Sequence, residues 1–299
     1  MFNSKIMQSS RAQALMLIGP ALAVYATFAI WPMIEVVFLS FQHWNGLDPH
    51  REWVGLENYR YILTNDAVFW VALRNTITWT ILAVIFPPTI GLLLALGLNQ
   101  QLFGRVPMRA VYYLPVIIAP IAVATIWRWM YDPFFGLFNQ VLTSLGLQSL
   151  ISDWLGDREI ALYSMFVAYT WQYVGFSMVL FLAGLQSVDR SLVEAARIDG
   201  ASRWQVFRHV TLPALLVTLA IVLVLSTISS LKAFDIVYGM TGGGPAQSTQ
   251  MLALWAFMQS MQIFDFGRGS AISVILLLVT LTIVVPYLRW SQRDEGAGE

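Results

Sequence analysis

A chain of 299 residues that is 58% hydrophobic and only 11% charged is too apolar for a soluble globule, because ordinary soluble domains are roughly 25% charged. A net charge of zero gives a nucleic-acid partner no support, and the lack of cysteine excludes disulfides, thiol catalysis and a cysteine-ligated metal. The expected architecture is an all-α polytopic membrane domain over residues 12–290, between a polar start (1–11) and a polar tail (291–299).

The first apolar run extends from about Ala12 to Leu39 and contains Gly19-Pro20 and Trp31-Pro32. It exceeds the ~7–15 residues of a signal-peptide core and no small-residue cleavage site follows, so an uncleaved span is expected. An outer loop from about Phe41 to Phe69 holds Trp44, Asn45, Gly46, Asp48, Glu52 and Glu57. The second span, about Val71 to Leu98, should kink at Pro87-Pro88. A turn with Arg105 and Arg109 leads into a third span, about Val106 to Met130, containing Pro115 and Pro120. A loop with Asp132, Asp153, Asp157, Arg158 and Glu159 precedes the fourth span, about Ile160 to Leu185. A polar stretch over 189–213 comes next, then a fifth span from about Pro213 to Leu231. Met251 to Phe264 is apolar but about fourteen residues long, which suits a partly inserted or surface helix. The sixth span, about Ala271 to Leu288, is followed by Arg289 and Arg293.

Six spans put both ends of the chain on one side. With that side inside, ten Lys and Arg residues lie inside and seven outside, the bias of the positive-inside rule. Both termini and the 189–213 stretch are therefore expected in the cytoplasm.

That stretch carries four of the seventeen Lys and Arg residues. Asp189 suits an N-cap, Asp199-Gly200 a helix stop, Ser202 a second cap, and Pro213 the first turn of the next span. Leu192, Ala195, Ala196 and Asp199 share one flat face, while Trp204, Phe207 and Thr211 make a bulkier stripe. Two readings stay open here: a connector resting on the membrane domain, or a docking element for a separate protein.

A phosphate-cradling P-loop needs a lysine after its glycines. The chain has only Lys5 and Lys232, and neither follows a glycine, so it is not an ATPase. The fifth and sixth spans hold no charge, and Glu35, Arg74, Arg128 and Asp235 sit near span ends, which argues against ion coupling. His43, His50 and His209 are separated by topology, and no nucleophile sits in a recognisable elbow, which argues against an enzyme. A solute would be handled by aromatic faces together with amides and hydroxyls. Tyr169, Gln172, Tyr173 and Phe176 share one face of the fourth span, and Ser226, Ser229 and Ser230 one face of the fifth. Lipid packing of the aromatics and helix–helix packing of the serines are the plainer alternatives.

Glu194-Ala195-Ala196-x-x-Asp199-Gly200-Ala201, followed by Val210-Thr211-Leu212-Pro213, resembles the EAA loop of permeases from binding-protein-dependent ABC importers. The match lacks the family's frequent second proline, where this chain has Leu215, Leu216 and Val217. Thr241-Gly-Gly-Gly-Pro245 resembles that family's segment after the fifth span, and Gly55-Leu56-Glu57-Asn58-Tyr59 resembles a segment of its carbohydrate-uptake, maltose-type branch.

The resemblance implies a type I importer permease fold, with six transmembrane helices and a cytoplasmic coupling helix in a cleft of an ATPase. Glu194, Ala195, Ala196, Asp199, Gly200 and Ala201 would then be the ATPase-coupling residues. The implied partners are a second homologous permease (a heterodimer), two ABC ATPase subunits, an extracytoplasmic solute-binding protein and the lipid bilayer of a bacterial plasma (inner) membrane. No cofactor is implied on this chain; ATP and Mg belong to the ATPase. Tyr169, Gln172, Tyr173, Phe176, Ser226, Ser229 and Ser230 coincide with sugar-contacting positions of the maltose importer's larger membrane subunit, although most residue types differ. A sugar or glycoside is therefore the expected solute. A glycerol-3-phosphate permease is the alternative within the family and would favour basic groups, which these faces lack. Outside the family, an ATP-independent carrier or channel would make 189–213 merely a loop.

Overall fold

Proline decides where helices of this chain bend, because each one removes a backbone donor and restricts the residue before it. The computed structural model describes residues 10–100 and 103–295, with side chains described for 16–100 and 103–286. Of the expected polar ends, residues 1–9 and 296–299, with Lys5 and Glu299, lie outside the described residues, as do the side chains of Arg11, Arg289 and Arg293.

One compact unit comprises residues 1–65 and 256–275. It begins with α1 (Ser10–Tyr25) and α2 (Trp31–Leu39), joined by a π-helical turn (Ala26–Ile30). The wider turn closes with Trp31 N–H on Ala26 O and lets Pro32 pass without ending the helix. The span Met16–Leu39 is exposed along nearly its whole length.

The expected loop beyond it is folded. Strands β1 (Gln42–His43) and β2 (Glu52–Trp53) pair antiparallel, and α3 (Glu57–Asn65) follows. Asn58 Nδ2 donates to Ser40 O (3.0 Å) and Gln42 O (2.9 Å), and Tyr59 Oη donates to Ser40 Oγ (2.7 Å). The start of α15 (Phe266–Glu295) closes on this piece. Phe266 N–H donates to Trp44 O (2.9 Å), and the Arg268 guanidinium lies 3.6 Å over the Tyr61 ring.

The second unit holds residues 66–255 and 276–299. Asp66 caps α4 (Ala67–Leu98) by accepting from Phe69 N–H (2.9 Å), and the helix is continuous through Pro87-Pro88. It lies along α8 (Ala161–Gln186), with Trp79 buried edge-on to Phe166 and Tyr169, both at 5.2 Å. Near their C-terminal ends, Ala95, Leu98, Phe181, Leu185, Leu215 and Val222 form one apolar cluster.

The third span, expected over about Val106 to Met130, divides into α5 (Arg105–Ile117) and α6 (Pro120–Met130), bent by 101°. Ile118 and Ala119 are extended (ψ 133° and 136°), as the steric demand of Pro120 on its predecessor requires. The fifth span also differs. A helical run from α10 (Arg203–Val206) through a π turn (Phe207–Thr211) to α11 (Leu212–Ala214) meets α12 (Leu216–Leu231) at 68°. Pro213 thus continues the preceding helix and does not open the span. Among the described residues, four unbroken helices are long and apolar enough to cross a membrane, and six spans result if each bent pair counts as one.

Four shorter helices complete the description: α7 (Leu137–Ser144), α9 (Arg190–Ile198), α13 (Asp235–Met240) and α14 (Leu252–Met261). The start of α14 is no surface element, since Met251, Leu252 and Leu254 are fully buried and Trp255 Nε1 donates to Asp66 Oδ2 (2.8 Å). The glycine-rich stretch is a turn held by Thr249 Oγ on Gly244 O (2.6 Å). Asn75 Nδ2 of α4 fastens it further, reaching Ser248 O (2.7 Å) and Gln250 O (2.9 Å).

Candidate functional site

The break in the third span opens space against α8 and α12. A cavity is lined by Tyr169, Gln172 and Tyr173 of α8, Ser229 of α12, Pro120 at the break, and Lys232 and Asp235 beyond α12. A neighbouring void shares Tyr169, Tyr173 and Ser229 and adds Phe176 and Ser226. The 3.6-residue period places the α8 side chains on one stripe, and the Tyr169 and Tyr173 rings lie 4.3 Å apart at 32°.

Six of the seven expected solute-path residues thus meet in one place. Ser230 does not join them. It is fully buried against α4, its hydroxyl oxygen 3.2 Å from Thr80 Oγ and 2.8 Å from Thr227 O, so it packs helices together. The helix faces read from the sequence carry no basic group, but Lys232, beyond α12, lines the cavity beside Asp235. Neither Pro120 nor Lys232 lies on the helix faces read from the sequence; both enter through bends in the chain. Aromatic faces, hydroxyls, an amide and one charge of each sign suit the binding of a polyhydroxylated solute.

The second candidate site is the polar segment. The Asp189 carboxylate accepts from Ser191 N–H (2.8 Å). Its hydrogen bonds with the Ser191 side chain, and then with that N–H, hold the carboxyl below the usual carboxylate range. At the other end of α9, Ala201 N–H bonds Ala196 O (2.9 Å) and Gly200 N–H bonds Arg197 O (3.1 Å). This pair of bonds is the Schellman closure. It needs a left-handed residue, and Gly200 sits at φ +84° without the clash a side chain would bring. Ser202 then starts α10 with a reciprocal capping box to Gln205.

Glu194, Ala195, Asp199 and Gly200 are exposed, whereas Ala196 and Ala201 are half-buried. Leu192, Ile198 and Trp204 are exposed too, Ile198 at 86%. Ile198 lies off the face read from the sequence, and only its exposure singles it out. His209 is exposed, with Nδ1 3.0 Å from Gln205 O.

The family of binding-protein-dependent transport system inner membrane components matches residues 88–289. A probable ABC transporter permease of Pyrococcus horikoshii is 37% identical over 92% of this chain and 94% of its own. A trehalose/maltose transport system permease of Thermococcus litoralis is 35% identical over 96% of each chain. Among solved structures, a chain of a bacterial alginate ABC transporter in complex with an alginate pentasaccharide-bound periplasmic protein has the same fold. It matches with a TM-score of 0.83 at 23% identity, over 97% of both chains.

Proposed function

The chain belongs to the binding-protein-dependent transport system inner membrane components, and on that premise we propose that it carries a sugar or glycoside through the membrane. The observation that carries this reading is the cavity where Tyr169, Gln172, Tyr173 and Ser229 converge beside a broken span. The trehalose/maltose relative and the alginate transporter of like fold support a saccharide.

In this reading the partners are a second, homologous permease, two ATPase subunits that hold ATP and Mg, and a solute-binding protein outside. Residues 189–213 then lie in the cytoplasm of a cell bounded by its plasma (inner) membrane. The loaded binding protein docks on the outer side, and closure of the ATPases drives the segment around Glu194, Ala195, Ala196, Asp199, Gly200 and Ala201. The two permeases rock between inward- and outward-facing states, because α9 and α10, each capped at its start, transmit the push stiffly. An anionic solute such as glycerol-3-phosphate is the second reading, favoured by Lys232 in the cavity wall. Asp235 in the same wall offsets that charge, so the neutral saccharide is preferred.

Purification of the tagged chain in mild detergent, with identification of what accompanies it, tests the assembly. The expected companions are a second six-span protein and a P-loop ATPase, and the associated binding protein should bind maltose or trehalose more tightly than glycerol-3-phosphate. A chain recovered alone that still moves solute in ATP-free vesicles would establish a carrier instead.

A further inference from the structure

The break between α5 and α6 leaves backbone groups without helical partners inside the membrane. Ala122 N–H and Val123 N–H both turn to Ala119 O (2.9 and 3.1 Å), so Ile118 O loses the donor four residues on that an unbroken helix supplies. Gln172 of α8 supplies a donor instead, from Nε2 to Ile118 O at 2.9 Å. It can reach because α8 and α5 approach backbone to backbone at Gly175, where any Cβ would overlap Tyr112 O.

A carbonyl can only accept, so the amide's NH₂ end faces the break and its oxygen faces the other way. Gln172 is 3% exposed, and its Oε1 is buried with no partner among the described residues. Gln172 and Pro120 line the same cavity. A buried amide oxygen lacking a donor calls for one from outside the described residues.

We propose that Gln172 ties solute occupancy to the shape of the break, one end of its amide holding Ile118 and the other receiving a solute hydroxyl. The proposal rests on the cavity being the solute path and adds a positioning role to it. A hydroxyl donated to Oε1 polarises the amide and strengthens its bond to Ile118 O, because linked hydrogen bonds reinforce one another. An occupied cavity therefore fixes the angle between α5 and α6, and an empty one leaves it looser. The third span thereby senses a solute that it contacts only at Pro120.

The chain contains no cysteine, so Met108→Cys and Thr125→Cys can carry spin labels on either side of the break in the assembled transporter. Without solute, Gln172→Met should broaden the distance distribution between them. With loaded binding protein and saturating maltose or trehalose, the distribution should narrow in the wild type and stay broad in the variant. Gln172→Met should also raise KM for uptake at least tenfold while changing kcat less than threefold. An unchanged solute-free distribution would show that Gln172 does not hold the break, and a broadened one with unchanged KM would sever the link to solute. If the wild type takes up neither sugar, the saccharide reading fails, and the solute-free distances still decide for or against the bond to Ile118.

Discussion

Ser229 and Ser230 are neighbours with opposite surroundings. Ser229 lines both voids beside Tyr169 and Tyr173, while Ser230 is sealed against Thr80 and Thr227. A hydrogen bond contributes about 1 kcal/mol net. Ser229→Ala should therefore raise KM for uptake by about fivefold and leave the thermal midpoint of the purified complex unchanged. Ser230→Ala should do the reverse, lowering the midpoint with KM intact; a matched loss of affinity in both would show that the two hydroxyls serve the same solute. Asp189 adds a pH dependence. Its lowered pKa means that folding of the α9 start is favoured above the unfolded carboxylate value near 3.9 and loses that support as pH falls through the lower folded value. Binding of the ATPase by the wild type should weaken below about pH 4, and Asp189→Asn should flatten that decline.

Helix ends and helix contacts set what each element can transmit. Gly200 has open space where a Cβ would stand but a φ of +84°, so Gly200→Ala costs about 1–2 kcal/mol of strain without a clash. Gly200→Pro cannot adopt that φ and loses the N–H that bonds Arg197 O. The expected result is ATPase retained by the alanine variant and lost by the proline variant, measured by co-purification; normal uptake by the proline variant would dismiss 189–213 as a coupling element. Gly175 is different, since its Cβ would meet backbone of α5. Gly175→Val should destabilise the chain by about 1–3 kcal/mol as an overpacked contact, read as a lower thermal midpoint. The caps were legible because Asp189, Gly200 and Ser202 act on their own neighbours in sequence. The bends at Ala119 and Leu215 were not, because hydropathy runs through both; Pro120 and Pro213 signal strain without saying whether a helix breaks, kinks or passes. The same limit hid Lys232 from the cavity wall, since only the turn after α12 brings it there.

Across the whole molecule, the proposed mechanism requires residues 189–213 on the cytoplasmic side, the direction that the charge bias of the sequence leads one to expect. Ten of seventeen cations fall on the side of residues 189–213, but that rule weighs loops statistically, and six crossings fix only that the termini share a side. Two exposed apolar residues can decide it: Leu47 in the turn after β1, 79% exposed, and Ile198 at the end of α9. Because the chain has no native cysteine, Leu47→Cys or Ile198→Cys supplies the chain's sole thiol. A membrane-impermeant maleimide applied to intact cells stripped of any outer barrier should label position 47 and leave 198 untouched. In inside-out vesicles position 198 should label only after the ATPase is washed away, if the proposed coupling segment is where the ATPase docks, because so exposed an apolar side chain would then be covered. Labelling of 198 from outside would invert the topology and leave an ATPase nowhere to bind. Equal labelling of 198 with and without the ATPase would keep the topology but move the docking face to the other side of α9.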